Sequence, residues 1–260
     1  MNRQDETHFD KAYRYISFNG LWRTIENKSL RFTSVSELND PLDNSVYLLP
    51  LPHPGWKIIN NDTVQHEEVK KLYNKITSSF YLCCFSKTYK DLNSYLMWAY
   101  YSNNHQEVCF EVDFKKHRLL GGPLFVHYSD SLVKLRNKFI QPKNEFGPVF
   151  LTHKSSVWKH EQEVRLIIIY NEKNQNEEGY TLSGDLKHIF LPINLSIISK
   201  IIFGIKASDE DKLKTAMMFI DRGLKPKFEE LIINPSNLKL DARKYVIHLN
   251  KVYKPYKSQE

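Results

Sequence analysis

The chain has 260 residues, of which 41% are hydrophobic, 26% are charged and 13% are aromatic. These fractions are close to those of ordinary globular proteins, so they exclude a disordered or fibrous chain and leave enough apolar residues for a sizeable core. The 37 basic and 30 acidic residues give a formal net charge of +7. This mild excess permits a nucleic-acid partner without requiring one.

The spacing of apolar residues predicts short helices and strands along the first half of the chain. Helices are predicted near Asp10–Phe18, near Leu21–Asn27, over Val64–Thr77 and from Asp91 to about Asn103. Strands are predicted over Leu30–Thr33, Ser79–Phe85 and Glu107–Val112, and a turn is predicted over Ser36–Asp43.

The second half of the chain is richer in predicted strands. Strands are predicted over Leu124–Tyr128, Glu163–Tyr170, Lys187–Leu191, Lys200–Phe203 and Glu229–Ile233, and helices over Ser131–Ile140 and Ser208–Arg222. Because strands outnumber helices and do not alternate strictly with them, the pattern favours an α+β fold with a mixed, largely antiparallel sheet flanked by helices. No repeat, low-complexity tract or long linker is present, so we expect a single domain over residues 1–260.

The three cysteines, Cys83, Cys84 and Cys109, cannot form a disulfide framework or a four-cysteine zinc site. They are interpreted as reduced core thiols. Residues Met1–Asp10 contain no apolar signal-peptide core, and the longest strongly apolar run, Leu166–Tyr170, is too short to cross a bilayer. We therefore expect a soluble, cytoplasmic protein with no membrane partner.

Several common catalytic motifs are absent. The nine glycines form neither a dinucleotide-binding fingerprint nor a phosphate-binding Walker loop. His160-Glu161 begins like a zinc-protease motif, but Val164 occupies the position of the second histidine. The sequence therefore predicts no metal site.

The segment Trp158–Ile169 carries the strongest chemical pattern. Side chains two residues apart project from the same face of a strand, so Glu161, Glu163 and Arg165 are predicted to lie together at the start of a buried strand. Partly buried charges need partners or are kept for function. Two such carboxylates can orient a nucleophile and stabilise positive charge. The alternative is a solvent-facing strand end where Arg165 pairs with a glutamate of a neighbouring strand.

Two further segments are candidate ligand contacts. Asn39 and Asp40 belong to an acidic turn in which Pro41 restricts the preceding residue. This turn either presents Asn39, Asp40 or Asp43 to a ligand or only reverses the chain.

The predicted helix that follows Asp91 places Trp98, Tyr101 and His105 on one face, because they are three and four residues apart. Aromatic side chains on such a face stack on a nucleotide ring or pack in the core.

Basic residues occur near both ends of the chain. Tyr13-Arg14-Tyr15 places an arginine near the first predicted strand, and arginine can bind a pyrophosphate through two hydrogen bonds. The tail from Lys239 to Glu260 contains six basic and two acidic residues interleaved with tyrosines. This tail is interpreted either as a nucleic-acid-facing strip or as a solvated C-terminal extension.

Taken together, the short motifs follow the order of a known family pattern. They are Tyr13-Arg14-Tyr15, Asn39 to Asp43, Cys84-Phe85-Ser86, Met97-Trp98 with Tyr101 and His105, Lys154 with Trp158, Glu161, Glu163 and Arg165, and Ile201 to Gly204. In this order, from about residue 11 to 206, the chain resembles the mostly bacterial domain-of-unknown-function family 2971. The layout is also similar to the ADP-ribosyltransferase fold, in the branch of toxins that modify nucleic acids.

The resemblance implies an enzyme that cleaves NAD and transfers ADP-ribose to a nucleic-acid or protein acceptor, as a toxin or a phage-defence effector. It implies that Glu163 and Glu161 are the catalytic residues. The residues implied to bind NAD are Tyr13, Arg14, Asn39, Asp40, Ser86, Trp98, Tyr101, His105 and Arg165. An antitoxin or another defence protein is the implied partner.

Two alternatives remain open at this stage. One is a non-catalytic sensor in defence that binds a nucleotide or nucleic acid without turnover. The other is a metal-dependent nuclease that uses Asp40, Asp43 and Glu163.

Overall fold

The computed structural model describes residues 10–40, 43, 74, 77–116, 122–130, 151–170 and 179–247. The predicted helix Ser131–Ile140 and nearly all of the predicted helix Val64–Thr77 lie outside these residues. The chain divides into two compact units, each built from separate stretches of sequence. The first comprises Met1–Phe9, Ser29–Lys87 and His117–Ile193, and the second comprises Asp10–Lys28, Thr88–Lys116 and Asn194–Glu260.

The first unit contains an antiparallel sheet whose strand order is β9, β10, β2, β3, β8 and β5. These strands are β2 (Ser29–Ser34), β3 (Phe80–Ser86), β5 (Leu124–Phe125), β8 (Glu163–Ile169), β9 (Thr181–Leu182) and β10 (His188–Pro192). Two short strands, β6 (His127–Tyr128) and β7 (His153–Lys154), pair in parallel. The predicted strand Leu124–Tyr128 is therefore two strands with different partners, because β5 pairs with β8.

The second unit contains a sheet in the order β13, β12, β11, β4 and β1. These strands are β1 (Lys11–Ile16), β4 (Val108–Asp113), β11 (Ile198–Phe203), β12 (Lys227–Ile233) and β13 (Leu240–Lys244). Only the pair β11–β12 is parallel among the described strands of this sheet. The helices α1 (Phe18–Asn27), α2 (Ser94–Tyr101) and α3 (Asp209–Ile220) also belong to this unit.

Local sequence explains the helix ends of the second unit. The Ser17 hydroxyl accepts a hydrogen bond from the Gly20 amide at the start of α1, over 3.1 Å. The Ser208 hydroxyl accepts one from the Asp211 amide at the start of α3, over 3.1 Å. Each satisfies an amide that has no partner within the helix.

The core of the second unit forms where α2 packs against the sheet. Trp98 and Cys109 are both completely buried, together with Ile202, Leu231 and Leu240. The five side chains come from α2 and from four different strands, so burying their apolar area stabilises the pairing of the whole sheet.

The α+β prediction is confirmed, since antiparallel pairing predominates among the described strands and two pairs, β11–β12 and β6–β7, are parallel. The predicted helix near Asp10–Phe18 is wrong, because residues Lys11–Ile16 form strand β1. β1 pairs along its whole length with β4, and alternate aromatic side chains at Tyr13 and Tyr15 suit a strand.

Strand β13 shows that part of the predicted basic extension is folded. Arg243 in this strand donates a 2.7 Å hydrogen bond to Glu230, and Tyr245, just after it, packs edge-on against Phe203. The residues after 247 lie outside the described ranges. The interpretation of this extension as a nucleic-acid-facing strip stays a prediction.

Gly204 follows β11 at a point where the backbone is closely packed. A Cβ atom at this position would lie 2.3 Å from the carbonyl oxygen of His105 and 2.8 Å from that of Glu107. Contacts this short do not occur between real atoms, so only glycine fits here without moving the backbone. None of the described helices has the length and apolar character needed to cross a membrane.

Candidate functional site

The acidic pair identified in the sequence lies at the start of strand β8, but it is arranged differently from the prediction. Glu163 is the first residue of the strand, whereas Glu161 is the last residue of a 3-10 helix, Ser156–Glu161. Gln162 between them adopts a left-handed conformation with φ of 45°. The prediction that Glu161 lies on the strand is therefore wrong, because the 3-10 helix continues to Glu161 and the strand begins only at Glu163.

Arg165 organises the first unit around this strand end. Its guanidinium, which is completely buried, donates to Glu163 from Nε over 2.8 Å and from Nη2 over 2.9 Å. It also donates to Asp43 from Nη1 over 3.0 Å and from Nη2 over 2.5 Å, and to the carbonyl oxygen of Leu151 over 2.7 Å. All five N–H groups of the guanidinium are therefore used.

Lys154 joins the two glutamates. Its ammonium nitrogen lies 2.6 Å from Glu161 Oε2, 3.3 Å from Glu163 Oε2 and 3.7 Å from Asp43 Oδ2. It also lies 5.0 Å from the ring centroid of Trp158, within the range of a cation–π contact. The side chains of Lys154, Glu161 and Glu163 are only 4%, 4% and 6% exposed.

Asp43, Lys154, Glu161, Glu163 and Arg165, called the charge cluster below, combine three carboxylates with two cations. Burial alone would raise the pKa of Glu163, but the neighbouring Arg165 and Lys154 cations outweigh it and lower the pKa to about 2. For Asp43 burial outweighs the attraction of Arg165, so its pKa is raised. At neutral pH Glu163 is therefore ionised, and Asp43 takes up a proton before Glu163 on acidification.

Lys154 is the second cation that holds these carboxylates. Burial would lower its pKa, but Glu163 and Glu161 raise it above the ordinary value of a lysine. Lys154 therefore stays charged at neutral pH, and its charge is shared between the two glutamates.

Three polar side chains surround Glu163. Ser86, which is almost completely buried, is its register partner on strand β3. The Tyr128 hydroxyl accepts a 2.8 Å hydrogen bond from the Glu163 amide, and burial raises the pKa of this tyrosine. The Cys84 thiol hydrogen-bonds the Glu163 carboxylate, and burial raises the pKa of that thiol. Ser86 is thus the direct neighbour of Glu163 across the sheet, and its predicted contact with NAD stays a prediction.

The acidic turn contributes Asp43 to the charge cluster. The Asp43 amide donates to the carbonyl oxygen of Asp40 over 3.0 Å, which closes a tight turn as predicted. Asp40 is buried and Asn39 is exposed. The member of the turn that reaches the charge cluster is Asp43, one of the three residues that the sequence offered as ligand contacts, and the predicted contacts of Asn39 and Asp40 with NAD stay predictions.

The remaining predicted site residues lie in the second unit. Tyr13 and Arg14 lie on strand β1, so an arginine does occupy an early strand. The Tyr13 hydroxyl donates to Glu111 over 2.7 Å. Burial raises the pKa of Tyr13, and the bond to Glu111 adds to this effect.

Trp98, Tyr101 and His105 are not on one helical face. Helix α2 ends at Tyr101, and His105 lies in the following turn with a positive φ of 70°. Trp98 packs in the core, where its indole nitrogen donates to the carbonyl oxygen of Tyr89 over 2.8 Å. Burial lowers the pKa of His105. The predicted contacts of these residues with NAD stay predictions.

Sequence reasoning assigned no role in the site to Lys154, a member of the charge cluster, or to Tyr128, which contacts Glu163. Lys154 lies seven residues before Glu161 and belongs to the family pattern described above. These two facts are the sequence signal that could have identified it as a site residue. Tyr128 comes from a strand 35 residues away from Glu163, and nothing in the local sequence marks it as a neighbour.

Comparison with known proteins adds no further constraint: no family model, no curated protein and no solved structure matches this chain. The resemblance to domain-of-unknown-function family 2971 and to the ADP-ribosyltransferase fold therefore stays a prediction. Within the described part of the chain, no three histidine, cysteine, aspartate or glutamate side chains are placed to hold a metal ion.

Proposed function

We propose that the protein is an ADP-ribosyltransferase-like enzyme that cleaves NAD and transfers ADP-ribose to a nucleic-acid or protein acceptor. The observation that supports this proposal is that Glu161 and Glu163 both contact the ammonium group of Lys154. Arg165 beside Glu163 also keeps that carboxylate ionised. An ionised carboxylate next to a second carboxylate is the arrangement that this transfer requires. Ser86 beside Glu163 supplies the polar residue of a neighbouring strand.

The chemistry assigns a different task to each carboxylate. The bond between nicotinamide and ribose breaks, nicotinamide leaves with the bonding electron pair, and the ribose becomes an oxocarbenium-like cation. Glu163 would accept a hydrogen bond from a ribose hydroxyl and stabilise that cation. Glu161 would orient the acceptor hydroxyl or amine and take up its proton as the new bond to ribose forms.

The charge cluster places one requirement on this mechanism. Both glutamates are buried and engaged by Lys154, at 2.6 and 3.3 Å, so a ribose can reach them only if Lys154 gives up at least one of them. We propose that NAD binding displaces the ammonium group of Lys154 towards the phosphates of NAD. Lysine suits this because its single charge sits on a flexible stem.

Incubating the purified protein with labelled NAD, together with DNA, RNA and cell extract, tests the proposal. We expect nicotinamide release and transfer of label to one fraction. Glu163→Gln should abolish both, while Glu37→Gln, which alters an exposed ion pair in the same unit, should leave them unchanged. Thermal melting of each variant shows whether lost activity reflects lost folding. Turnover of wild-type size in folded Glu163→Gln would contradict the mechanism.

The burial of both carboxylates favours a second candidate, a non-catalytic sensor that binds a nucleotide or nucleic acid in phage defence. In such a protein the same site would bind the ligand without turnover. Calorimetric titration with NAD separates the two candidates, because a sensor would give a binding heat without nicotinamide release. A defence role also implies a partner protein such as an antitoxin, and co-purification with the product of an adjacent gene would test that expectation.

A further inference from the structure

A cavity rich in lysine lies in the second unit, apart from the residues of the charge cluster. Its volume is about 500 Å³, within the range of about 300–1,000 Å³ typical of small-molecule sites. Two carboxylates, Glu111 and Asp113, are also part of its lining. The lysines that line this cavity, called the lysine cavity below, are Lys11, Lys116, Lys200, Lys225 and Lys227. Five cations and two carboxylates give the lining a formal net charge of +3.

One of the two carboxylates is already neutralised by its neighbours. Glu111 accepts hydrogen bonds from Lys11 over 2.9 Å, from the Tyr13 hydroxyl over 2.7 Å and from the Ser199 hydroxyl over 2.6 Å. Burial would raise the pKa of Glu111, but these three hydrogen bonds outweigh it and lower the pKa. The negative charge of Glu111 is therefore not available to balance the remaining lysines.

The sheet register brings two of the lysines together. Lys200 on β11 and Lys227 on β12 are direct partners in the parallel pair. Like charges at directly opposed positions repel one another and destabilise a sheet. Glu229 forms an ion pair with Lys200, with 3.1 Å between the ammonium nitrogen and the carboxylate, and so offsets the charge of Lys200. Within the described ranges Lys227 forms no ion pair.

Two further lysines of the lining also lack a carboxylate partner among the described residues. Lys225 is exposed and has no ion pair with any residue that the structure describes. Within the described part of the chain, the Lys116 ammonium hydrogen-bonds a backbone oxygen, that of Ser196, at 3.4 Å. Three exposed lysines of the lining, Lys116, Lys225 and Lys227, thus have no carboxylate partner at ion-pair distance among the residues that the structure describes. Such an arrangement gains stability when an anion enters it.

We propose that the lysine cavity binds the phosphate groups of a compact anion, such as the diphosphate of a nucleotide. Phosphate oxygens form strong charge-assisted hydrogen bonds with ammonium groups, and a diphosphate carries enough negative charge to balance the excess of the lining. The cavity is concave and limited in volume, which favours a compact ligand over an extended nucleic-acid strand. This proposal holds whether or not the protein cleaves NAD, because it concerns only residues of the second unit.

Calorimetric titration of the full chain with inorganic pyrophosphate, with ADP and with a single-stranded oligonucleotide tests the proposal. The site variant is Lys225→Gln with Lys227→Gln, since both side chains are exposed and their replacement should leave folding intact. The matched control is Lys206→Gln with Lys239→Gln, two exposed lysines of the same unit outside the cavity lining. Both double variants remove the same net charge, so long-range attraction falls equally in each.

We expect pyrophosphate and ADP to bind, and the site variant to lose about tenfold or more in affinity, because two charge-assisted contacts are removed. The control should lose much less, and the oligonucleotide should bind no more tightly than pyrophosphate. Three results would overturn the proposal: no binding of pyrophosphate or ADP, equal losses in both variants, or binding of the oligonucleotide alone.

Discussion

Replacing Lys154 by methionine tests whether the charge cluster depends on this lysine. Methionine keeps most of the length of the side chain but removes the charge, so three buried carboxylates would be left with Arg165 as their nearest cation in the cluster. Removing one partner of a buried ion pair costs about 3–5 kcal/mol, because the charge left behind is neither solvated nor paired. We expect a loss of that size in the free energy of unfolding, measured by urea denaturation at neutral pH.

The matched control is Lys187→Met in the same unit. Lys187 pairs with Glu37 over 2.9 Å, but the two side chains are 49% and 36% exposed. Exposed ion pairs contribute about 0–1 kcal/mol, so this substitution should change stability several-fold less than Lys154→Met. Equal losses in the two variants would contradict the buried network.

A double-mutant cycle isolates the contact between Lys154 and Glu161. Glu161→Gln alone removes the negative charge that lies 2.6 Å from the lysine nitrogen, and the double variant removes both charges. Because each single variant leaves the other charge buried, we expect the double variant to be more stable than the sum of the single losses predicts, by about 2 kcal/mol. Additive losses, within about 0.5 kcal/mol, would refute a direct pair.

Three other predictions concern acid stability, close packing and helix capping. The pKa of Glu163 is about 2 in the folded chain and ordinarily 4.5. This carboxylate therefore contributes about 3 kcal/mol of stability above about pH 4.5, and this contribution is lost as the pH falls towards 2. Glu163→Gln should therefore flatten acid unfolding curves between these two pH values. Gly204→Ala should destabilise the chain by more than about 2 kcal/mol because its Cβ would meet a backbone oxygen at 2.3 Å, whereas Gly184→Ala, with no atom within 4 Å, should have little effect in the same melting experiment. Ser208→Ala should cost about 1 kcal/mol by removing the hydrogen bond to the Asp211 amide, and Ser208→Asp, which keeps an acceptor, should restore most of it.

The strand framework could be predicted from local patterns. The predicted strand Glu163–Tyr170 corresponds to β8, and Ser79–Phe85 corresponds to β3, which pairs with it. Both segments are continuous runs of branched or aromatic residues, and such runs specify a buried strand with little help from the rest of the chain. Helix α3 could be predicted equally well, since Ser208 marks its start and acidic residues follow in its first turn.

The first element could not be assigned correctly because its local signals conflict. Residues Lys11–Ile16 contain a lysine, an alanine and an arginine, which suit a helix, and also two tyrosines, which suit a strand. Pairing with β4 decides the outcome, and this partner lies 100 positions further along the chain. Tertiary contacts of this kind override weak local preferences.

The charge cluster was only partly predictable for the same reason. The pattern predicted that Glu161, Glu163 and Arg165 would lie together and need partners. It could not predict that Gln162 would take a left-handed conformation, or that Lys154 would contact both glutamates. The 3-10 helix that ends at Glu161 sets this geometry, and such short helices have few sequence signals of their own.

The interleaving of the two units along the chain has a consequence for how the polypeptide folds. The sheet of the second unit needs β1 near one end of the sequence and β11 to β13 near the other, so it is completed only after residues of the first unit have been synthesised. Contacts between such distant residues slow folding, because a long loop must close before they contribute any stability. Neither unit can therefore be expressed as one continuous fragment, and a ribosome-bound chain ending near residue 193 would carry β1 and β4 with an unpaired edge open to aggregation.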